Sequence, residues 1–318
     1  MSSPEPREFV LGGQAVIEGV MMKGTGTYAV AVRKQSGEIR VRDFPLSRTG
    51  PGNRLSRMPV LRGVATMAVM LSIGYRALRF SADEAIDDAE PRGPGPDDRP
   101  DPGEGKRENG SLAVAMALAL LLGVGLFFWL PLVLTRWTTA LLPALSGRLA
   151  FNVVDGGIRV LVFVLYVLGI GRMGDIRRIF QYHGAEHKAV HAYERKAELT
   201  PESVAGFSSL HPRCGTSFLL FVMVISIAVF SFIPHESSLL TKALMRLVLL
   251  PAVAGISYEA LRLSAKRGDT GFSRAMVAPG LLLQRLTTRE PDLPQIEVAI
   301  ASLRRVAPGA GAGECRVG

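Results

Sequence analysis

Residues 8–45 read as β structure, and a period of two in the second half of that stretch supports the prediction. GGQAVIEGVMMKG is followed by TYAVAVRKQSGEIRVRDF, which alternates on either side of a hairpin turn at Gln35-Ser36-Gly37-Glu38. The glycines of the first stretch mark bulges or close backbone approach. With a loop over 46–57, residues 8–57 form an N-terminal glycine-rich β segment. The pattern then changes. Residues 58–80 read as a helix whose uncharged core, Gly63 to Tyr75, falls short of the ~20 residues of an ordinary span. Arg62, Arg76 and Arg79 flank it, which suits an interfacial or re-entrant helix, with a tilted membrane helix as the alternative. Residues 81–110 are rich in Pro, Gly and Asp and read as a disordered acidic linker.

Longer apolar runs follow. Leu112–Leu134 is uncharged and ends near Trp129 and Trp137, as a membrane span does. Val153–Gly171 is a second span, interrupted by Asp155 and Arg159, so 111–172 hold transmembrane helices 1 and 2. A His-rich connection occupies 173–215. Thr216–Ile233, closed by Pro234, and Ala243–Leu263, containing Arg246 and Glu259, make 216–263 the third and fourth spans. Residues 264–306 form a C-terminal segment with a last soluble helix over 292–306. Residues 307–318 read as a disordered low-complexity tail. The expected fold is an α-helical polytopic membrane protein with a small N-terminal β-hairpin or sheet. It has about four transmembrane helices plus one interfacial or re-entrant helix.

Composition agrees. Of the 318 residues 48% are hydrophobic, and the mean hydropathy is +0.24. Net charge is +9, yet residues 81–110 hold ten acidic and four basic residues, so the excess of positive charge lies elsewhere. A basic chain can meet nucleic acid or an anionic membrane face. The apolar runs favour the lipid bilayer, and no nucleic-acid partner is expected. Lysine and arginine concentrate after the second and fourth spans. By the positive-inside rule, the N-terminus, residues 173–215 and the C-terminus are then cytoplasmic, in a bacterial inner membrane. Cys214 and Cys315 supply no disulfide framework.

Four of the five histidines lie between residues 183 and 211. On a helix, His183, Glu186, His187, His191 and Glu194 share about 140° of one face. Imidazoles at i and i+4 can grip one divalent ion from adjacent turns. His183-Gly-Ala-Glu186-His187 has the H-x-x-E-H order of the inverted zinc-hydrolase motif, in which the glutamate takes a proton from water activated by the ion. His211 and Cys214 follow just before the third span and are candidates to complete the shell. A closed four-ligand shell would make the site structural and an open position would make it catalytic. Gly184 costs the helix ~1 kcal/mol relative to Ala, which asks for a reason. Glu259 is either a site residue or the partner of an arginine. Gln14 and Glu18 alternate on one strand face and either border a site or face water.

These stretches resemble a known family. GGQAVIEGVMMKG, YHGAEHKAVHAYE, HPRCGTSFL and ISYE, in that order, are similar to the YqhQ-like family of bacterial membrane proteins of unknown function, commonly labelled metal-dependent enzymes. The resemblance covers most of residues 8–290. It implies a shared site of Gln14, Glu18, His183, Glu186, His187, His211, Cys214 and Glu259, and supplies no reaction. The leading expectation is a cytosol-facing metalloprotein with zinc as cofactor, a hydrolase with Glu186 as base acting on a lipid, a membrane peptide or something soluble. A scaffold or assembly factor with a structural metal is the second. A small transporter or channel subunit with Glu259 and Arg246 along its path is the third.

Overall fold

The structure is a computed structural model that describes residues 11–46, 58–89, 105–212, 214–234, 237–266 and 271–307. The N-terminal segment is an antiparallel meander of four strands: β1 (Gly12–Val16), β2 (Gly19–Lys23), β3 (Thr27–Arg33) and β4 (Ile39–Pro45). Val20 faces Ala31 across the ladder and Met21 faces Val30. The alternation seen in the sequence therefore separates two cores. Val20, Met22, Ala29 and Ala31 point to one side, and Met21, Tyr28, Val30 and Val32 to the other. Both sides are covered, which explains why β2 and β3 are buried almost throughout. The expected hairpin turn is present: Gly37 has φ +88 and its N–H donates to the Lys34 carbonyl at 2.9 Å.

One face packs on helix α1 (Leu61–Ala89) through Ile73, Ala77 and Phe80. The other packs on α5 (Gly174–Glu194) and α10 (Leu293–Val306), with the short α6 (Pro201–Ala205) beside them. Helix α10 opens on an Asp292/Gln295 capping box and buries Ile296, Val298, Ala299, Ile300 and Leu303. The last soluble helix expected over 292–306 is thus a wall of the core and not an appendage. Its Ser302 hydroxyl donates to Ala29 O at 3.0 Å and accepts from Met22 N at 3.1 Å, which ties it to the sheet.

Helix α1 is longer than the sequence pattern predicts and corrects the expected linker. Residues 81–89 are helical, and so are 105–110 at the start of α2 (Gly105–Val124); residues 90–104 lie outside the described residues. The reason is local pairing. Ser81 is buried and accepts the Ile17 N–H at 3.2 Å, and Glu84 meets Lys34 at 3.3 Å and Arg40 at 3.4 Å. Acidic composition conceals an inner face with partners on the sheet. Helix α1 also meets α8 (Leu239–Lys266), where Arg62 donates from both Nε and Nη2 to the Glu259 carboxylate. The expected loop at 47–57 and the tail at 308–318 lie outside the described residues.

Helix α2 passes through a π-helical turn (Gly125–Trp129) into α3 (Leu130–Leu141), and α4 (Arg148–Ile170) returns. Among the described residues, three helical stretches are long and apolar enough to cross a membrane: Ala117–Leu141, Arg148–Ile170 and Leu239–Leu263. The first starts later than the expected Leu112 and runs on past Arg136, and the second and third start earlier than the expected Val153 and Ala243, at Arg148 and Leu239. The expected third span is α7 (Gly215–Phe230), apolar but only 16 residues, or about 24 Å, against a hydrocarbon core of about 30 Å. Helix α9 (Gly271–Thr287) packs on α7 and α4. Its Gln284, fully buried, grips the backbone of His211 at both ends, with Oε1 accepting from His211 N and Nε2 donating to His211 O, each 2.9 Å.

Two stability predictions follow from these bonds. Ser81→Ala removes the acceptor for Ile17 N–H and lowers stability by about 1–2 kcal/mol, read as a drop in the thermal unfolding midpoint of the detergent-purified protein. Gln284→Leu leaves two buried backbone groups of His211 unpaired and costs about 2–4 kcal/mol in the same measurement. An unchanged midpoint in either variant contradicts the corresponding bond.

Candidate metal centre

Helix α5 carries the site. It is a polar helix enclosed on most sides, with Gly184, Glu186, His187 and Lys188 all buried. The cost of Gly184 has a packing explanation: a Cβ there would lie 2.2 Å from the carbonyl oxygen of Arg289. That carbonyl's own residue is fixed by Arg289 N–H donating to Phe180 O at 2.9 Å, so the segment after α9 runs against α5. Lys188 closes the opposite side. Its Nζ donates to the carbonyls of Ala205 and Phe207, each at 2.7 Å, and meets Glu290 at 2.5 Å. This lysine fixes the loop that leads to His211 and Cys214. A single buried ammonium closing a loop leaves no pattern in the sequence.

The loop and α9 orient the histidines. His187 Nδ1 lies 2.6 Å from Ser209 O, and His183 Nδ1 lies 2.9 Å from Thr287 O. A carbonyl only accepts, so each Nδ1 carries a proton and donates it there, which leaves Nε2 as the ring nitrogen facing the site. His183 Nε2 is 3.3 Å from Cys214 Sγ, and the rings of His183 and His187 are 4.5 Å apart. Ligand atoms of His183, His187 and Cys214 all fall within 4.8 Å of one another. Cys214 caps α7, and its sulfur accepts from Thr216 N at 3.4 Å and Thr216 Oγ1 at 3.3 Å.

His187 Nε2 is buried and has no hydrogen-bond partner. An orphaned buried acceptor costs roughly 1–3 kcal/mol unless something occupies it. A divalent transition ion matches what surrounds it: two imidazole nitrogens and one sulfur, the donor set of zinc sites. The residues present therefore fit a metal.

His191 and His211 belong to a second trio, with Glu194. His191, Glu194 and His211 also place ligand atoms within 4.8 Å of each other. His191 Nε2 donates to Leu210 O at 2.9 Å, and His211 Nε2 lies 3.4 Å from Glu194 Oε2. Burial, with the charge of His191, pushes His211 down to about 4, so the ring is neutral at physiological pH. His211 thus stands with His191 and Glu194, its ring 5.8 Å from that of His187. The single cluster of four expected from the sequence is divided between two adjacent trios.

Glu186 lies between the histidines and strand β1. Its carboxylate accepts the Gly13 N–H, and one oxygen lies 3.9 Å from His187 Nε2. Burial pushes this carboxyl above the usual range, against the opposing pull of His183 and of the Gly13 N–H. Gly13 is needed for the approach: a Cβ there would sit 2.4 Å from Met21 O and 3.0 Å from Glu186 Cγ. The glycine-rich strand therefore forms one wall of the site.

Other expected site residues lie elsewhere. Gln14 turns to α1, its Nε2 3.4 Å from Gly74 O. Glu18 does not share a strand face with it. It sits in the β1–β2 turn at φ 50, held by Arg178, which donates from Nε at 2.6 Å and also from Nη2, and by Tyr182 Oη at 3.3 Å. The bond to Glu18 raises the pKa of Arg178 further, while burial and then the charge of Glu18 raise that of Tyr182. Glu18 lines a cleft of about 410 Å³ with Arg33, Lys34 and Arg178, away from the histidines. Glu259 is paired with Arg62, and Arg246 donates to Asp155 at 2.8 Å.

Comparison with known proteins places this arrangement. No solved structure matches the chain. The "Uncharacterized protein YqhQ" of Bacillus subtilis (strain 168) is 34% identical over 304 residues, covering 93% of this chain and 91% of the relative. Residues 58–308 match the family described as "Protein of unknown function (DUF1385)", and the chain belongs to that family.

Proposed function

We propose that this protein is a membrane-embedded metalloenzyme, holding a zinc-like divalent ion with His183, His187 and Cys214 and using Glu186 as a general base for hydrolysis. The observation that supports it is the buried, unpartnered Nε2 of His187 facing His183 Nε2 and Cys214 Sγ. Three protein ligands leave one position of a tetrahedral ion open, the pattern of catalytic sites. When bound, such an ion supplies Lewis acidity and lowers the pKa of water in its shell to about 7.

The chain's own residues set the rest. Thr287 and Ser209 fix which imidazole nitrogens are free, and Gly13 N–H orients the Glu186 carboxylate. Glu186 accepts and returns a proton at that carboxylate, 3.9 Å from His187 Nε2. Cys214 opens the apolar helix α7, which suits lipids or membrane peptides as substrates. The concentration of Lys and Arg at this end supports a cytoplasmic position for it in a bacterial inner membrane. A structural ion in a non-enzymatic scaffold is the second reading, favoured by the near-complete burial of His187 and Glu186.

Two variants test this. Elemental analysis of the purified wild type is expected to find a divalent transition metal that His187→Ala loses. Equal, negligible metal in both proteins ends the metal reading. Glu186→Gln keeps the carbonyl acceptor for Gly13 and is expected to retain metal. In cells depleted of the native protein, it loses function by roughly 10²–10⁴ if Glu186 moves the proton. Full complementation by Glu186→Gln with metal retained favours the scaffold.

A further inference from the structure

At the end of the apolar helices away from the histidines lies a ladder of cations. Arg159 on α4 donates from Nη2 to Asp155 Oδ2 at 2.7 Å and from Nη1 to Ser226 Oγ at 3.0 Å. Arg246 on α8 donates to the other oxygen of Asp155 at 2.8 Å. Both guanidinium groups stack near Phe230, each 5.2 Å from its centroid. Lys242, one turn before Arg246, places Nζ 4.5 Å over the Phe151 ring. Arg136 on α3 stands at the rim.

The charges do not balance. Asp155 is the single carboxylate paired with Arg159 and Arg246 among the described residues, and Lys242 adds a third cation within the spanning helices. Arg246 is 1% exposed and Arg159 7%. Nε of each has no hydrogen-bond partner. Uncompensated charge inside apolar helices is costly and asks for a counter-ion. The geometry offers a place for one. A cavity of about 410 Å³ is lined by Arg136, Thr139, Phe151, Ser237, Ser238 and Lys242. A smaller space behind it, sharing Phe151 and Lys242, reaches Arg246.

We propose that this cavity binds a phosphate group, and that the phosphate belongs to the headgroup of an anionic phospholipid. Guanidinium and ammonium donors with hydroxyls at the mouth match phosphate oxygens. Basic pockets between membrane helices hold anionic headgroups by the same chemistry. The surroundings suit acyl chains: Trp137, Leu141, Phe232 and Leu240 are large apolar side chains left exposed around the same helix ends. The bound headgroup neutralises the ladder and clamps α3, α4 and α8 together.

The test is thermal unfolding of the full chain in detergent at constant ionic strength. It is titrated separately with dioleoylphosphatidylglycerol, dioleoylphosphatidylcholine and inorganic phosphate. Phosphatidylglycerol is expected to raise the midpoint saturably, and phosphatidylcholine is not. The Arg136→Gln/Lys242→Gln variant binds phosphatidylglycerol roughly thirtyfold more weakly, from about one lipid contact per cation. Arg136→Gln alone, at an exposed position, serves if the double variant does not fold, and is expected to weaken binding by roughly fivefold. Arg172→Gln, at the other end of α4, leaves binding unchanged. Inorganic phosphate that saturates the same response identifies a soluble ligand, retaining the phosphate site and removing the lipid. Equal stabilisation by both lipids, wild-type binding in the rim variants, or equal loss in Arg172→Gln overturns the proposal.

Discussion

Helix α5 imposes the constraint on which the rest of the structure depends: it is polar and it is buried. Every buried polar group must find a partner, because an unmet hydrogen bond away from water costs a sizeable part of a domain's net stability. The surrounding elements meet that demand one group at a time. Strand β1 supplies Gly13 N–H to Glu186. The loop at 205–210 supplies carbonyls to Lys188, His187 and His191. The end of α9 supplies Thr287 O to His183. Against that background of satisfied groups, the lone Nε2 of His187 stands out.

The sequence showed the right periods and missed the partners. Residues 8–45 were legible as strands although β2 and β3 bury both faces, with small alanines lining the α10 side. The helical spacing of His183, His187 and His191 put them on one face. Their division into two trios depends on where the loop after α6 carries His211 and Cys214, a path set by Lys188 and Gln284. Gln284 leaves a faint mark, a lone amide in the apolar run LLLQRL; its target leaves none. Residues 81–89 were misread for the same reason. Composition counted their carboxylates, whereas the fold pairs Glu84 with Lys34 and Arg40.

Hydropathy has a matching blind spot in the membrane helices. It registers Asp155, Arg159 and Arg246 as charges inside the expected spans and says nothing of their partners. Paired across α4 and α8 they are interior contacts, and the helices run on through them. Glu259 follows the same rule. It is an ionisable group in an apolar helix, and Arg62 from α1 neutralises it in a two-point contact. Family membership fits this picture without extending it, since the relative at 34% identity is itself uncharacterised and supplies no reaction.

The membrane helices also do more than anchor the sheet. Cys214 is the cap of α7, and Gln284 and Thr287 close α9, so the candidate ligands are assembled from the polar helix α5 and from the ends of apolar helices. A shift of α7 relative to α5 would move the sulfur away from His183. Helices α7 and α8 pack through Phe230 and Val253, and Phe230 lies beside both guanidinium groups of the ladder at the far end. Packed cores transmit displacement because they contain little free volume. Helix α7 thus serves both ends in one packed element, with Cys214 at its start beside His183 and Phe230 at its end beside the two guanidinium groups.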